Sequence, residues 1–175
     1  SFTSPEANIT GISSNTFSQL QLANEYSNYY WRVRVQYSAT CFSEWSEARS
    51  FLTEPPVPAL LTPAHGKKGA PFDQVLDWGD LPDAVSYKLQ VANNANFGPP
   101  LEVDASGLSE SEFTLMLSEN NTRYWWRVSA SFTECMSDWT TSRSFITGYE
   151  APELVNPEDG ADCVPLNSNF TWENM

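Results

Sequence analysis

The stretch YYWRVRVQYSATCFSEWSEARSF at residues 29–51 decides the fold, because it returns as YWWRVSASFTECMSDWTTSRSF at residues 124–145. The opening of the stretch repeats at a shift of 95 residues, and the ending Cys-x-x-x-Trp-x-x-x-Arg-Ser-Phe repeats at a shift of 94. A second set also returns 94 residues later: Pro58, Leu60, Pro63, Gly66 and Trp78 reappear as Pro152, Leu154, Pro157, Gly160 and Trp172. A period of this length is too long for a solenoid turn and corresponds to one small domain per repeat.

The register of the repeat predicts three pieces. Residues 1–54 are the back half of one unit, residues 55–148 are a complete unit, and residues 149–175 are the front part of a third. Short proline-bearing linkers at 54–58 and 149–152 join the pieces. Because proline fixes φ and removes a backbone donor, we expect these junctions to be semi-rigid.

Inside the complete unit the hydrophobic period is two. Tyr124, Trp126 and Val128 alternate with Trp125 and Arg127, which is typical of a half-buried strand. The pattern predicts seven strands, at about residues 59–62, 73–78, 86–92, 101–104, 112–117, 124–132 and 142–147. It indicates an all-β fold of antiparallel β-sandwiches, with one tryptophan set in the core: Trp31, Trp78, Trp126 and Trp172.

The same residues resemble a fibronectin type III domain. The resemblance lies in Trp78 on the second strand, Tyr87-x-Leu-x-Val on the third and Tyr124-x-Trp-x-Val-x-Ala on the sixth. The chain is similar in particular to tandem fibronectin type III-like repeats of bacterial secreted and cell-surface proteins. The resemblance implies immunoglobulin-like sandwiches and an extracellular or cell-surface location. It also implies tyrosine corners at Tyr29 and Tyr124, in which the hydroxyl bonds back to a loop.

Two further segments, residues 42–46 and 136–140, resemble the Trp-Ser-x-Trp-Ser box of cytokine receptors with its first tryptophan replaced. The resemblance implies that Arg32 stacks on Trp45 and Arg127 on Trp139. Such a cation–π pair contributes about 0.5–2 kcal/mol. The box could form a receptor surface or a structural ladder that covers the sheet, and we expect the structural ladder.

The formal net charge of −13, with only nine Lys and Arg residues, disfavours nucleic acid as a partner. No apolar run approaches the roughly 18–20 residues that span a membrane, so we expect no direct membrane insertion. We expect no cofactor. Calcium is the weak alternative, because Asp77, Asp80 and Asp83 lie close together but lack the glycine and closing glutamate of a calcium loop.

Catalysis finds no support in the sequence. Cys41, Cys135 and Cys163 form no metal-type pair, and His65 is the single histidine of the chain. No phosphate loop or nucleophile elbow occurs, so the sequence predicts that the protein is not an enzyme. Because Cys41 and Cys135 lie one repeat apart, we expect no disulfide between them.

These observations predict a non-catalytic structural or adhesive repeat segment of a large protein: a semi-rigid spacer, an adhesin stalk or a filament-forming unit. The alternative is a ligand-recognition module, either receptor-like or a carbohydrate-binding accessory domain of a secreted enzyme. Expected partners are neighbouring repeats of the same protein, including head-to-tail copies, and a protein or carbohydrate surface ligand. We expect chain outside this segment, or a neighbouring copy, to complete the two partial units.

Overall fold

The computed structural model describes residues 5–18 and 20–173, and every regular element in them is a β-strand. The chain divides into two compact units, Ser1–Pro56 and Val57–Met175. Residues 1–4, 19, 174 and 175, which belong to the predicted outer pieces, lie outside the described residues.

The first unit contains one antiparallel pair, β1 (Asn28–Trp31) and β2 (Arg49–Leu52). Tyr29 lies opposite Phe51, and the two rings stack with their centroids 5.9 Å apart. This contact on the inner face fixes the register of the pair.

The second unit is a sandwich of two sheets. The smaller sheet has the order β3-β5-β8 and the larger has the order β4-β10-β9-β6-β7. A separate two-stranded hairpin, β11-β12, follows in the same unit. The strands are β3 (Leu60–Thr62), β4 (Lys67–Ala70), β5 (Asp73–Trp78), β6 (Ser86–Ala92), β7 (Val103–Leu108), β8 (Glu112–Met116), β9 (Arg123–Ser131), β10 (Arg143–Thr147), β11 (Leu154–Asn156) and β12 (Thr171–Trp172).

All pairings within the two sheets are antiparallel except that of β4 with β10. Three strands facing a larger antiparallel sheet, with the chain passing from one sheet to the other, form the sandwich of fibronectin type III and immunoglobulin-like domains. The all-β sandwich fold predicted from the sequence is therefore confirmed.

The core lies between the two sheets, because alternate residues of each strand point inward. In β9 the side chains of Trp126, Val128 and Ala130 are completely buried. Trp78 on the opposing sheet is 1% exposed, and its ring meets Tyr87 edge-on at 5.6 Å. Other buried apolar side chains are Leu60, Ala70, Leu76, Leu89, Val91, Ala92, Leu115, Tyr124, Phe132 and Phe145.

Two strands differ from the sequence prediction. The fourth predicted strand, at 101–104, lies later, as β7 over Val103–Leu108. β4 was not predicted, because Lys67–Ala70 has no apolar alternation and pairs in parallel with a distant strand, β10. Gly66 and Gly69 have φ values of +78° and +64°, which side chains rarely adopt, so the chain can turn on either side of this short strand.

The prediction that Trp31 and Trp172 are core residues is wrong for this chain. Trp31 is 48% exposed and Trp172 is 58% exposed, whereas Trp126 and Trp78 at the equivalent repeat positions are buried. The physical reason is the absence of an opposing sheet: among the described residues, β1 has only β2 in its sheet and β12 has only β11.

Candidate functional site

A pair of hydroxyl side chains fastens the segment after β9 to that strand. The amide of Val128 donates to Thr140 Oγ1 at 3.1 Å, and the amide of Ala130 donates to Ser137 Oγ at 2.9 Å. In return, the Thr140 amide donates to the Val128 carbonyl at 2.9 Å and the Ser137 amide to the Ala130 carbonyl at 2.8 Å. We call this arrangement the box clamp, since both hydroxyls belong to the box-like segment 136–140.

The first unit repeats the box clamp. The amides of Val33 and Val35 donate to Ser46 Oγ at 3.1 Å and to Ser43 Oγ at 2.9 Å. The Ser46 and Ser43 amides donate back to the carbonyls of Val33 and Val35, at 2.8 Å and 2.9 Å. The sequence signal for this role is the recurrence of Ser-x-Trp-Ser and Ser-x-Trp-Thr one repeat apart. Sequence reasoning took that recurrence only as a likeness to a receptor box.

The box clamp presents Trp139 to a cation from β9. The guanidinium carbon of Arg127 lies 4.6 Å from the centroid of the Trp139 ring and 4.1 Å from that of Phe97. Lys88 Nζ, from β6, lies 5.8 Å from the Trp139 centroid. Arg127 is therefore held between two rings, and Phe97 is a member of the ladder that sequence reasoning missed.

Polar groups complete the coordination of Arg127. Its Nε and Nη2 atoms donate to Gln90 Oε1 at 3.0 Å and 2.6 Å. Gln90 Nε2 donates in turn to Asp104 Oδ1 at 3.2 Å, and Lys88 Nζ lies 4.0 Å from the same oxygen. Burial lowers the pKa of Arg127 and the nearby Asp104 carboxylate raises it; the guanidinium stays charged, because arginine does not deprotonate in proteins.

The ladder of the first unit contains two arginines. The guanidinium carbon of Arg32 lies 4.4 Å from the centroid of Trp45. Arg34 lies 4.0 Å from the Phe42 centroid and 4.5 Å from that of Trp45. Trp45 is 40% exposed, so this ladder covers its sheet less completely than a buried contact would. Sequence reasoning named Arg32 and Trp45 and missed Arg34, which stands where the second unit has Ser129.

The tyrosine hydroxyls are placed differently in the two units. Tyr29 accepts a hydrogen bond from the Asn24 amide at 3.2 Å, five residues upstream. In the second unit the bond of this kind is made by Tyr87, whose hydroxyl accepts from the Leu81 amide at 2.9 Å. Tyr124, the predicted corner, packs its ring against Phe145 at 5.9 Å, and no hydrogen bond joins its hydroxyl to the described part of the preceding loop. Burial raises the pKa of Tyr124, and the carboxylates of Glu102 and Glu119 act in the same direction.

A second hydroxyl device, which we call the exit clamp, closes the complete unit. The Thr147 hydroxyl donates to the Glu119 carbonyl at 2.6 Å and accepts from the Thr122 amide at 2.9 Å. The Thr147 amide donates to the Thr122 carbonyl at 3.0 Å, and the Asn121 amide to the Gly148 carbonyl at 3.0 Å. These bonds fix the chain where it leaves the sandwich.

The first unit has the same exit clamp. The Thr53 hydroxyl donates to the Asn24 carbonyl at 3.0 Å and accepts from the Ser27 amide at 2.9 Å. The Thr53 amide donates to the Ser27 carbonyl at 3.0 Å, and the Tyr26 amide to the Glu54 carbonyl at 2.9 Å. Sequence reasoning missed both exit clamps, although Thr53 and Thr147 stand 94 residues apart.

The groups considered for metal binding or catalysis are dispersed. Within residues 5–18 and 20–173, no cluster of three His, Cys, Asp or Glu side chains could hold a metal ion. Cys41, Cys135 and Cys163 are free thiols. His65 Nδ1 accepts a hydrogen bond from the Ser144 amide at 3.2 Å, a structural role beside β10. The described chain contains no candidate for a membrane-spanning helix.

No family model matches the sequence, and no curated protein matches it. Among solved structures, the chain is similar to an Fn3-like protein from Clostridium thermocellum, with 19% identity over 57% of this chain and 99% of that chain, and a TM-score of 0.41. It is also similar to the chicken interferon gamma receptor alpha chain, with 12% identity over 73% of this chain and 69% of that chain, and a TM-score of 0.49.

The FN1–FN3 domains of chicken CNTN1 show a comparable likeness, with 14% identity over 73% of this chain and 45% of that chain, and a TM-score of 0.40. Because these identities and TM-scores are low, the fold assignment rests on the strand order and the core described above. The functional argument rests on the ladders and clamps.

Proposed function

We propose that the chain is a non-catalytic structural or adhesive repeat segment of a large extracellular or cell-surface protein, acting as a semi-rigid spacer or stalk. The observation that carries this proposal is the exit clamp, which recurs with the same four kinds of bond at Thr53 and at Thr147. A bond set repeated at the last strand of both units has a clear mechanical use: it anchors the point from which each linker leaves.

The linkers themselves support a defined junction. Each begins within one or two residues of an exit clamp and contains proline, at 54–58 and 149–152. The side-chain amide oxygen of Asn120 also accepts a hydrogen bond from the Glu150 amide at 2.7 Å, inside the second linker. Since proline restricts φ and the preceding residues are hydrogen-bonded, few backbone torsions remain free between one unit and the next.

The ladder of the second unit favours a structural role over ligand recognition. Arg127 is already engaged by Gln90, Phe97 and Trp139, so its donors and its charge are largely used within the sheet. A partner would have to break these contacts to bind the guanidinium. The ladder therefore acts as a cover that stiffens the outer surface of β6 and β9.

The proposal can be tested by ¹⁵N relaxation of the whole chain. Two units joined semi-rigidly tumble with one shared correlation time, and Thr53→Val should separate the two correlation times because the first exit clamp loses its hydroxyl bonds. Thr40→Val, the same change at an exposed threonine, is the matched control and should leave them shared. Independent tumbling of the two units in the wild-type chain would overturn the spacer proposal.

The alternative, a ligand-recognition module, is favoured by one observation. In the first unit Trp45 remains 40% exposed beside Arg32 and Arg34, so an aromatic and cationic surface is open to a carbohydrate or an acidic protein surface. Calorimetric titration with a panel of glycans and acidic peptides tests it. Binding that is lost in Trp45→Ala and kept in Trp139→Ala would move the assignment to recognition.

A further inference from the structure

We propose that the inner face of the first unit binds the β11–β12 hairpin of a second copy of this chain, so that copies associate head to tail. This inference rests on the proposed function and deepens it, because it names the surfaces through which a stalk or filament would assemble. The argument uses the second unit as an internal template for the contact.

The receiving surface is the inner face of β1, β2 and the residues that follow β1. Trp31, Val33 and Val35 are 48%, 55% and 54% exposed, and Phe51 is 41% exposed. Phe17 and Leu20, from the preceding segment, are 44% and 46% exposed. We call this set of six side chains the open face.

The donated surface is the hairpin of β11 and β12. Leu154 is 80% exposed, Phe170 is 75% exposed and Trp172 is 58% exposed. Three large apolar side chains at this level of exposure are unusual on one short hairpin, because each forfeits the free energy that burial would contribute.

The second unit shows how such surfaces fit together. The counterparts of the open face, Trp126, Val128, Ala130 and Phe145, are completely buried there. The counterparts of the hairpin residues, Leu60, Leu76 and Trp78, are 7%, 0% and 1% exposed on the opposing sheet. The repeat thus predicts that the hairpin of one copy covers the open face of another in the way that β3 and β5 cover β9 and β10.

An arginine supplies a polar anchor for the same contact. Arg143 Nη1 donates to the carbonyl of Leu61 at 2.8 Å and lies 3.4 Å from that of Pro63, which ties β10 to β3 and the turn after it. Its counterpart, Arg49, is exposed at the edge of the open face, where it lines a hollow of about 390 Å³ beside Trp31. The counterparts of Leu61 and Pro63 are Val155 and Pro157, so Arg49 should donate to the carbonyls of these two residues in the second copy.

Charge and area are consistent with this occupant. Residues 150–173 carry six carboxylates and no Lys or Arg, so the segment complements a face anchored by Arg49. Aromatic side chains bury about 150–250 Å² each when fully covered. Nine half-exposed apolar side chains and the paired backbones offer on the order of 1,000 Å², near the lower limit of about 1,200 Å² for specific interfaces.

Sedimentation velocity of the whole chain over a range of concentrations tests the inference. The wild-type chain should form a series of growing oligomers. Val33→Asp, on the open face, and Trp172→Asp, on the hairpin, should each stay monomeric. A 1:1 mixture of these two variants should form dimers and nothing larger, because only one intact open face meets one intact hairpin.

Matched variants separate this result from a folding defect. Val85→Asp makes the same change at a position that is 65% exposed in the second unit, and it should assemble like the wild-type chain. Leu154→Asp should behave like Trp172→Asp, and Arg49→Ala should weaken association about tenfold. Circular dichroism should show unchanged strand content in each variant.

Two outcomes would overturn the inference. One is a wild-type chain that stays monomeric at about 100 μM, with or without protection of Trp31 from a fluorescence quencher. The other is a mixture of Val33→Asp and Trp172→Asp that stays monomeric although the wild-type chain assembles. Neither outcome touches the spacer proposal, which depends on the relaxation of the two units within one chain.

Discussion

At the scale of single residues, the side chain of Trp126 contributes most clearly to stability. It is completely buried between the sheets, so Trp126→Ala should lower the free energy of unfolding by about 3–5 kcal/mol. Trp125, the next residue, points to the other face and is half-buried, with Arg123 5.8 Å from its ring. Denaturant titration of Trp125→Ala is the matched control and should show a much smaller loss. Equal losses would contradict the register of β9.

Thr147 makes a second prediction at this scale. Thr147→Val keeps the shape of a side chain that is 2% exposed but leaves the Glu119 carbonyl and the Thr122 amide without their side-chain partner. The expected loss in the free energy of unfolding is about 1–3 kcal/mol. Thr141→Val, at an exposed position, should change it by less than about 0.5 kcal/mol. An unchanged stability in Thr147→Val would show that the exit clamp is not a stabilising feature.

At the scale of elements, the ladder can be measured as a pair energy. A double-mutant cycle with Arg127→Met and Trp139→Leu should give a coupling of about 0.5–2 kcal/mol, because each change removes one partner of the cation–π contact and keeps most of its apolar volume. A coupling near zero would mean that the two side chains are merely neighbours on the sheet surface.

How far the elements could be predicted depends on where their partners lie in the sequence. β9 was found to within a residue, because its alternation is local and carried by aromatic side chains. β4 was missed because its pairing depends on β10, more than 70 residues away. Phe97 was missed for the same reason: the loop between β6 and β7 brings it to Arg127, and no pattern near Phe97 indicates that contact. The clamps were missed because Ser and Thr are common in loops, and only their recurrence marks these few.

At the scale of the whole molecule, one repeated construction accounts for the features that distinguish this chain. Each unit fastens the segment after its long strand with a box clamp, covers that strand with cations and aromatic rings, and anchors the departing chain with an exit clamp. Trp31 and Trp172 lie on surfaces whose repeat counterparts are buried, and this difference led to the proposal of head-to-tail association.

The central claim, that the junction between repeats is semi-rigid, is tested most directly by a distance distribution. Spin labels on the native thiols Cys41 and Cys135, one in each unit, can be measured by pulsed electron resonance after Cys163→Ser. The Trp172→Asp background prevents association from adding distances between chains. We predict a single narrow distribution that broadens when Thr53→Val is added. A broad distribution without Thr53→Val, as a freely jointed linker produces, would contradict the account.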